Sequence, residues 1–532
     1  MLPRQSGSDP NGRDAVRTAR VNEASLHPLM KILAFAAVVE VGTGLALMVI
    51  GIDAVLAPTL TPWLVTRFGN GRVVFGGFVL AALAYAAFLT IFVDFGTTTL
   101  VSRTVAQRGG REDGLVATTL LIRTALWLAA LPVLMLATIF LGYDDDLRGA
   151  IVVLAVAALF VAWGGAIAAY LQGREEFSLL SLSSVAYRIV AAVVGVAILV
   201  LLPRPSLFLI SLAFLIGATV CAGILIAALR RHSEIRWALA PRRALDLLRT
   251  ALPIGAYGVV GTFYFNVDLV MLEGMAPAEN VGWYAAAYRL FNAATILESI
   301  VVTRVLYPMY SRMSVGPRAE LRMVIAKALS LLTIVGGAVV LIFVLCADQI
   351  VGILYSADAY SPATSALRLL APGLFLLYLN SVIGYALFAL GREKHLLAMA
   401  TAFAFLNVGA NLIAIPRFAQ DGAAAVTTLT ELGLLMWTIR ITPRDLLTGE
   451  SVRTVAKAAV AAVAAGLMVL LSGATTLASM VPLALLVYGV GVVALRAIGP
   501  TDLHAIATLI GARRGQRAVI EPVGQPVHEE VG

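Results

Sequence analysis

Long apolar runs recur along this 532-residue chain, and they constrain its fold more than any other feature. Fourteen runs reach the roughly 20 residues that an α-helix needs to cross the hydrocarbon of a bilayer. The chain is 60% hydrophobic and 13% charged, with a mean hydropathy of +0.91, which is far more apolar than a soluble protein of this size. The sequence therefore predicts an all-α polytopic membrane protein with about 14 transmembrane helices.

Lysine and arginine are concentrated in alternate loops between these spans, and this explains the net charge of +8. Because cytoplasmic loops carry the excess of basic residues, the alternation predicts that both termini lie in the cytoplasm. The polar segment before the first span lacks the apolar core and cleavage site of a signal peptide, so we expect a cytoplasmic tail. A basic balance of this kind indicates membrane topology and does not predict nucleic-acid binding.

Short motifs recur six spans apart and predict an internal duplication. Gly173-Arg174-Glu175 closes span four and Gly391-Arg392-Glu393 closes span ten; Pro203-Arg204 and Pro416-Arg417 end spans five and eleven. Six is an even number, so the two halves have the same orientation, as in a parallel repeat. We expect two pseudo-symmetric six-helix lobes plus two extra C-terminal helices. The predicted organisation is an N-terminal tail (1–28), an N-lobe (29–229), a basic cytoplasmic linker (230–249), a C-lobe (250–441), spans thirteen and fourteen (454–497) and a C-terminal tail (498–532).

Three arginines lie inside predicted spans: Arg123, Arg188 and Arg289. A charge at mid-bilayer costs at least ~2.5–3.5 kcal/mol, so such residues snorkel, form structural ion pairs or face a wet cavity. For Arg123 these alternatives stay open. Arg289 shares its helical face with Asn292 and small alanines, which favours a cavity.

Polar and acidic side chains also fall inside spans, namely Glu40, Asn266, Asp268, Glu298 and Glu431. Asp268 and Arg289 are similarly distant from one short turn, so we expect them to pair. Glu298 is nine residues from Arg289, which places it on the opposite face of an ideal helix. These acids either lock the structure through salt bridges or serve gating or ion coupling.

Motifs for common enzyme chemistry are absent from the sequence. There is no GxxxxGK[ST] phosphate loop, no HExxH and no cluster of Cys and His, so we expect no cofactor, no metal and no ATP hydrolysis. All predicted outer loops are short, which argues against an external catalytic site. We therefore expect a protein that is not an enzyme.

A set of weak motifs, taken in order, resembles Wzx-type oligosaccharide flippases, in the polysaccharide-export branch of the multidrug/oligosaccharidyl-lipid/polysaccharide superfamily. The similarity covers about residues 28 to 497. The motifs are Asp94-Phe95-Gly96, Asn266-Val267-Asp268, Val281-Gly282-Trp283-Tyr284, Ala287, Arg289, Tyr307-Pro308, Leu354-Tyr355, Asn407, Asn411, Ile415-Pro416, Gly422-Ala423-Ala424 and Glu431.

The resemblance implies a two-lobed transporter with a central cationic cavity in the cytoplasmic membrane. Its substrate would be a polyprenyl-diphosphate-linked oligosaccharide, moved from the inner to the outer leaflet by alternating access. Guanidinium groups pair bidentately with phosphate, so the predicted substrate ligands are Arg123, Arg188 and Arg289, with Asn292. The gating or ion-coupling candidates are Asp268, Glu298, Glu40, Glu431 and Asn266. The implied partners are membrane lipids, the lipid-linked glycan, a coupling ion (H+ or Na+) and glycan-assembly enzymes.

Two other classes remain as alternatives. A related exporter of the same superfamily would be a lipid II flippase or a drug/cation antiporter. Antiporters usually have twelve spans, and the first span here (Met30 to Ala57) has no arginine, unlike the arginine-rich first helix of lipid II flippases. A membrane glycan polymerase or ligase would need a large outer loop, which this chain lacks.

Overall fold

A computed structural model describes residues 89–497, with gaps at 91, 109–113, 141–142, 203–205, 233–240, 356 and 448. The first predicted span (30–57), most of the second (73–99), Glu40 and the two tails lie outside the described residues. All statements below concern the described part of the chain.

The described residues form helices, which confirms the predicted all-α class, and eleven of the helices are long and apolar enough to cross a membrane. One of the eleven has a non-helical residue, Ala419 (φ 46°, ψ −124°), between predicted spans eleven and twelve. The eleven helices therefore account for all twelve predicted spans from three to fourteen. The elements are α1 (Thr97–Gln107), α2 (Leu115–Phe140), α3 (Asp145–Gly173), α4 (Phe177–Leu201), α5 (Leu207–His232), α6 (Pro241–Met275), α7 (Ala278–Ser299), a π-helical segment (Ile300–Leu306), α8 (Tyr307–Met313), α9 (Arg318–Leu345), α10 (Ala347–Leu354), α11 (Ala357–Tyr360), α12 (Ala363–Ala389), α13 (Glu393–Ile441), α14 (Gly449–Leu471) and α15 (Leu477–Ala494).

Helix α3 is the packing centre of the N-terminal half. It contacts α1, α2 and especially α5, and most of its length is buried. Its sequence is rich in alanine and glycine, and small residues let helix backbones approach closely where lipid supplies no hydrophobic driving force. At Gly164, for example, an added Cβ would lie 3.3 Å from a methyl group of Leu225 on α5.

Helix α12 has the same position in the C-terminal half, where one continuous apolar cluster joins α6, α7, α8, α9, α12 and α13. An added Cβ at Gly373 would lie 2.7 Å from the Thr428 hydroxyl of α13, so this crossing is also close. Helices α3 and α12 are spans four and ten. Both are central to the packing of their own half, and the six-span repeat stays a prediction.

The last two spans, α14 and α15, pack outside this cluster against α9. The Tyr488 hydroxyl donates a hydrogen bond of 3.0 Å to the Ile334 carbonyl across that contact. At the lobe boundary, α6 begins at Pro241, so the second half of the predicted linker is continuous with span seven.

The two halves meet through short helices at the end of the bundle that carries most of the arginines. Helix α1 packs against α6 and α8 there. It follows a turn in which Phe95 and Gly96 have φ angles of 35° and 78°. A Cβ at Gly96 would lie 2.5 Å from the Gly255 backbone nitrogen, so glycine is required both by φ and by the close approach of the halves.

Candidate functional site

A cavity of 550 Å³ lies between the two halves, and both contribute to its wall. This volume is in the range of small-molecule sites. We call it the interlobe cavity. Its polar lining comprises Asp94, Thr98, Thr99, Ser102, Gln172, Ser183, Ser184, Tyr187, Thr303, Arg304, Tyr307 and Tyr385.

The π-helical segment places Thr303 and Arg304 at this cavity. Such segments shift the helical register and are frequent at functional sites. Across the cavity, the Gln172 amide donates a hydrogen bond of 2.6 Å to the Thr303 carbonyl. Sequence reasoning missed Arg304, although it lies inside span eight only three residues before Tyr307-Pro308, and that position was the available signal.

Arg123 is 1% exposed and lies in a closed polar cluster on the N-terminal side of the cavity. Its guanidinium forms an ion pair with Asp94 and donates to the hydroxyls of Thr97 (2.8 Å) and Thr98 (2.7 Å). It also donates to the Ala162 carbonyl. Asp94 and Thr98 line the interlobe cavity, whereas Arg123 does not. Arg123 therefore holds cavity residues in place from behind.

Asp268 is 2% exposed and is surrounded by neutral donors of the C-terminal half. The hydroxyls of Tyr284 and Thr427 donate to one oxygen at 3.0 and 2.7 Å, and the Asn411 amide donates to the other at 2.7 Å. Asn411 also donates to Asn407 at 3.0 Å, while its own Oδ1 is buried without a donor among the described residues. The expected pairing with Arg289 is wrong. Asp268 accepts its hydrogen bonds from neutral groups, namely Tyr284 of the next helix, α7, and Asn411 and Thr427 of α13.

The other two predicted arginine ligands lie outside the linings of both cavities described here. Arg289 is partly buried on α7, near Tyr355 and Tyr360. Arg188 is partly buried on α4, directly after the cavity residue Tyr187. Asn266 is exposed, and its amide donates to the Thr262 carbonyl one turn earlier.

A second cavity of 380 Å³ lies within the C-terminal half, and we call it the C-lobe cavity. It contains Glu298, Glu431 and Asn292, and it shares Thr303 and Tyr385 with the interlobe cavity. The prediction that Glu298 points away from Asn292 is therefore wrong. Both residues line one cavity because the cavity extends around α7 and is not confined to one face of that helix.

Glu298 and Glu431 are 5% and 3% exposed. The Glu431 carboxylate accepts hydrogen bonds of 3.1 Å from the Tyr264 hydroxyl and the Asn380 amide, and Glu298 lies beside Ser381. Neither glutamate pairs with a cationic side chain of the described residues.

At the arginine-rich end, two ion pairs join the halves. Arg103 contacts Glu393 at 3.1 Å, and Arg312 contacts Glu175 at 2.7 Å. The Tyr307 hydroxyl donates to the Thr99 carbonyl nearby at 2.9 Å. Each half supplies one arginine and one glutamate, and both glutamates end the recurring Gly-Arg-Glu motif. These contacts tie the two halves together at the end of the interlobe cavity that contains Ser102 and Tyr307.

The fold of the described residues is similar to that of MATE transporters. A mutant of the Vibrio cholerae MATE transporter VcmN aligns with a TM-score of 0.64 over 80% of this chain and 100% of that chain, at 15% identity. The lipid II flippase MurJ, in an inward closed conformation, aligns with a TM-score of 0.56 over 80% of this chain and 93% of its own, at 14% identity.

Sequence comparison then gives the family. The family described as "Polysaccharide biosynthesis protein" matches residues 46–314, just over half of the chain. A putative O-antigen transporter of Escherichia coli (strain K12) is 24% identical over 404 residues, which cover 71% of this chain and 90% of that protein. The chain belongs to the polysaccharide biosynthesis protein family, and it is a multi-pass membrane protein whose fold is similar to that of the MATE transporter and of the lipid II flippase.

Proposed function

We propose that the protein flips a polyprenyl-diphosphate-linked oligosaccharide from the inner to the outer leaflet of the cytoplasmic membrane. The observation that carries this proposal is the interlobe cavity, which is lined by both halves, contains an arginine and is closed at one end. The family match and the relative described as a putative O-antigen transporter favour a lipid-linked glycan over a drug as the cargo.

The mechanism proposed is alternating access without ATP hydrolysis. The positive-inside rule assigns the arginine-rich end to the cytoplasm, so the described state has its cytoplasmic entrance shut. Opening requires the two interlobe ion pairs to separate while α3 and α12 keep each half together. Movement of one repeat against the other around a central site is the usual form of such transport.

For the diphosphate we propose Arg304 and Arg188 as direct ligands, because Arg304 lines the interlobe cavity and Arg188 follows the cavity residue Tyr187. Arg123 acts as a positioning residue by holding Asp94 and Thr98. Arg289 and Asn292 are proposed as contacts further along the path. Guanidinium groups suit this task because they remain charged and match phosphate geometry.

We propose the Asp268 cluster as the ion-coupling site. Oxygen atoms of Asp268, Asn407 and Thr427 lie close together there around the Asn411 amide, and oxygen ligands suit a hard cation such as Na+. Turning the Asn411 amide over would bring its Oδ1 atom, which has no donor among the described residues, toward such an ion. Proton coupling would use the Asp268 carboxyl alone, and Asn266 and the described glutamates remain candidates for gating.

Flipping by purified protein in vesicles tests this proposal. With a fluorescent polyprenyl-diphosphate glycan as substrate, Arg304→Ala should slow flipping at least about tenfold, since each lost charge-assisted phosphate contact costs roughly 1.5–3 kcal/mol. Arg322→Ala, which removes an exposed arginine from α9, should flip at the wild-type rate. Normal flipping by Arg304→Ala at matched incorporation would remove the phosphate assignment, and no flipping by the wild type would reject the substrate class.

A further inference from the structure

The C-lobe cavity has an unusual balance of donors and acceptors for a chain of net charge +8. Its described lining includes two carboxylates, Glu298 and Glu431, and no lysine, arginine or histidine. A buried charge is normally paired, because an unpaired one has lost its hydration without compensation. Among the described residues, the two carboxylates therefore have no basic side chain that would balance them.

Several neutral donors of this cavity are already engaged, including the Ser381 hydroxyl beside Glu298. The Asn380 amide and the Tyr264 hydroxyl already donate to Glu431. The hydroxyls of Thr295 and Thr303 donate to backbone carbonyls of their own helix turn. The Oδ1 atom of Asn380 is buried and has no donor among the described residues. Buried polar atoms are almost always hydrogen-bonded, so this orphan acceptor independently indicates a missing donor.

The rest of the wall is aromatic. Tyr257 and Phe388 meet edge to face with ring centroids 5.0 Å apart, and Tyr385, Phe403, Tyr264 and Phe265 complete the lining. Aromatic faces attract organic cations through the ring quadrupole, and this attraction grows when water is excluded. The volume of 380 Å³ is far larger than a desolvated metal ion requires and falls in the range of small organic ligands.

We propose that the C-lobe cavity is a binding site for an organic ammonium group. The ammonium would lie between Glu298 and Glu431, donate to Asn380 Oδ1 where it carries N–H groups, and be covered by the aromatic rings. An anionic glycan portion or a phosphate would be repelled by the same carboxylates. Because the cavity shares Thr303 and Tyr385 with the interlobe cavity, the ammonium could belong to an amine-bearing sugar of a lipid-linked glycan or to a free organic cation.

Binding can be measured by calorimetry on the full-length protein in lipid nanodiscs, without any transport. Benzyltrimethylammonium is the cationic probe and benzenesulfonate the anionic control. We expect saturable binding of the cation only, weakened at least about tenfold by Glu298→Gln and by Glu431→Gln, since tenfold corresponds to 1.4 kcal/mol. Glu273→Gln removes an exposed carboxylate of α6 outside the cavity and should bind as the wild type does.

A second pair of probes distinguishes the two sources. Binding of 2-aminoethyl glucoside but not 2-hydroxyethyl glucoside, with the same dependence on the two glutamates, would identify an amine-bearing sugar. Binding of benzyltrimethylammonium alone would identify a free organic cation, and either result supports the site. Equal binding of benzenesulfonate, or wild-type affinity in both glutamine variants with unchanged melting temperatures, would overturn the proposal. Failure of glycan flipping would leave this result unaffected, because the measurement needs no lipid-linked substrate.

Discussion

Each half of the molecule is packed around one central helix, but the charged residues buried in the two halves have opposite signs. In the N-terminal half, Arg123 is fully buried, and its charge and hydrogen bonds are satisfied by Asp94, two threonines and a carbonyl. In the C-terminal half, Glu298 and Glu431 line a cavity without a basic side chain from the described residues. A buried charge is therefore structural in one half and available to a ligand in the other. Burial alone does not distinguish the two roles, whereas the presence or absence of a fixed counter-charge does.

The largest loss of stability should come from removing Arg123, which is buried in the N-terminal half and paired with Asp94. Arg123→Ala leaves Asp94 without its counter-ion and leaves the Ala162 carbonyl and the hydroxyl oxygens of Thr97 and Thr98 without their donor. Removing one partner of a buried pair typically costs about 3–5 kcal/mol. We expect a large drop in the melting temperature of the purified protein, measured by intrinsic fluorescence in detergent.

The double variant Arg123→Met/Asp94→Leu serves as the control for this interpretation. Replacing both charges with apolar groups of similar size removes the uncompensated carboxylate, so part of the lost stability should return. A melting temperature of Arg123→Ala equal to that of the wild type would show that the arginine is not a structural residue. The contrast between the two halves would then be lost.

A smaller effect is expected from breaking the two ion pairs at the arginine-rich end. Each half contributes one arginine and one glutamate to these pairs. The Arg103 and Glu393 side chains are only 10% and 11% exposed, whereas those of Arg312 and Glu175 are 52% and 30% exposed. Exposed pairs contribute about 0–1 kcal/mol, and buried hydrogen-bonded pairs contribute more. Arg103→Glu should therefore open this end more than Arg312→Glu, and the exchange Arg103→Glu/Glu393→Arg should close it again.

Opening can be followed with a cysteine at Ser102, which is 1% exposed and lines the interlobe cavity. In a background with Cys221 and Cys346 changed to alanine, a membrane-impermeant thiol reagent should label it faster in Arg103→Glu than in the parent. If the exchange variant labels as fast as the single variant, the ion pair does not hold the end closed.

The sequence predicted spans three to fourteen because apolar length is a local property of the chain, whereas the six-span repeat stays a prediction. Apolar length determines which segments cross a bilayer, and the Gly-Arg-Glu motifs marked equivalent helix ends. The site was harder to predict. Two of the hydrogen-bond donors to Asp268, Asn411 and Thr427, lie more than 140 residues further along the chain. No local spacing in the sequence encodes these contacts. Arg304 faces the cavity from a π-helical segment, whose register an ideal 3.6-residue period does not describe.

The smallest effect on stability is expected at the C-lobe cavity, where Glu298 has no counter-ion among the described residues. Glu298→Gln preserves the shape of the side chain and removes a charge that the protein interior does not balance. Removing an uncompensated buried charge relieves its desolvation cost, so the melting temperature should stay equal or rise. The measurement is the same thermal unfolding, with Glu273→Gln as the matched exposed control. A loss as large as that of Arg123→Ala would mean that Glu298 is fixed by partners within the fold, and the C-terminal half would then be as closed as the N-terminal half.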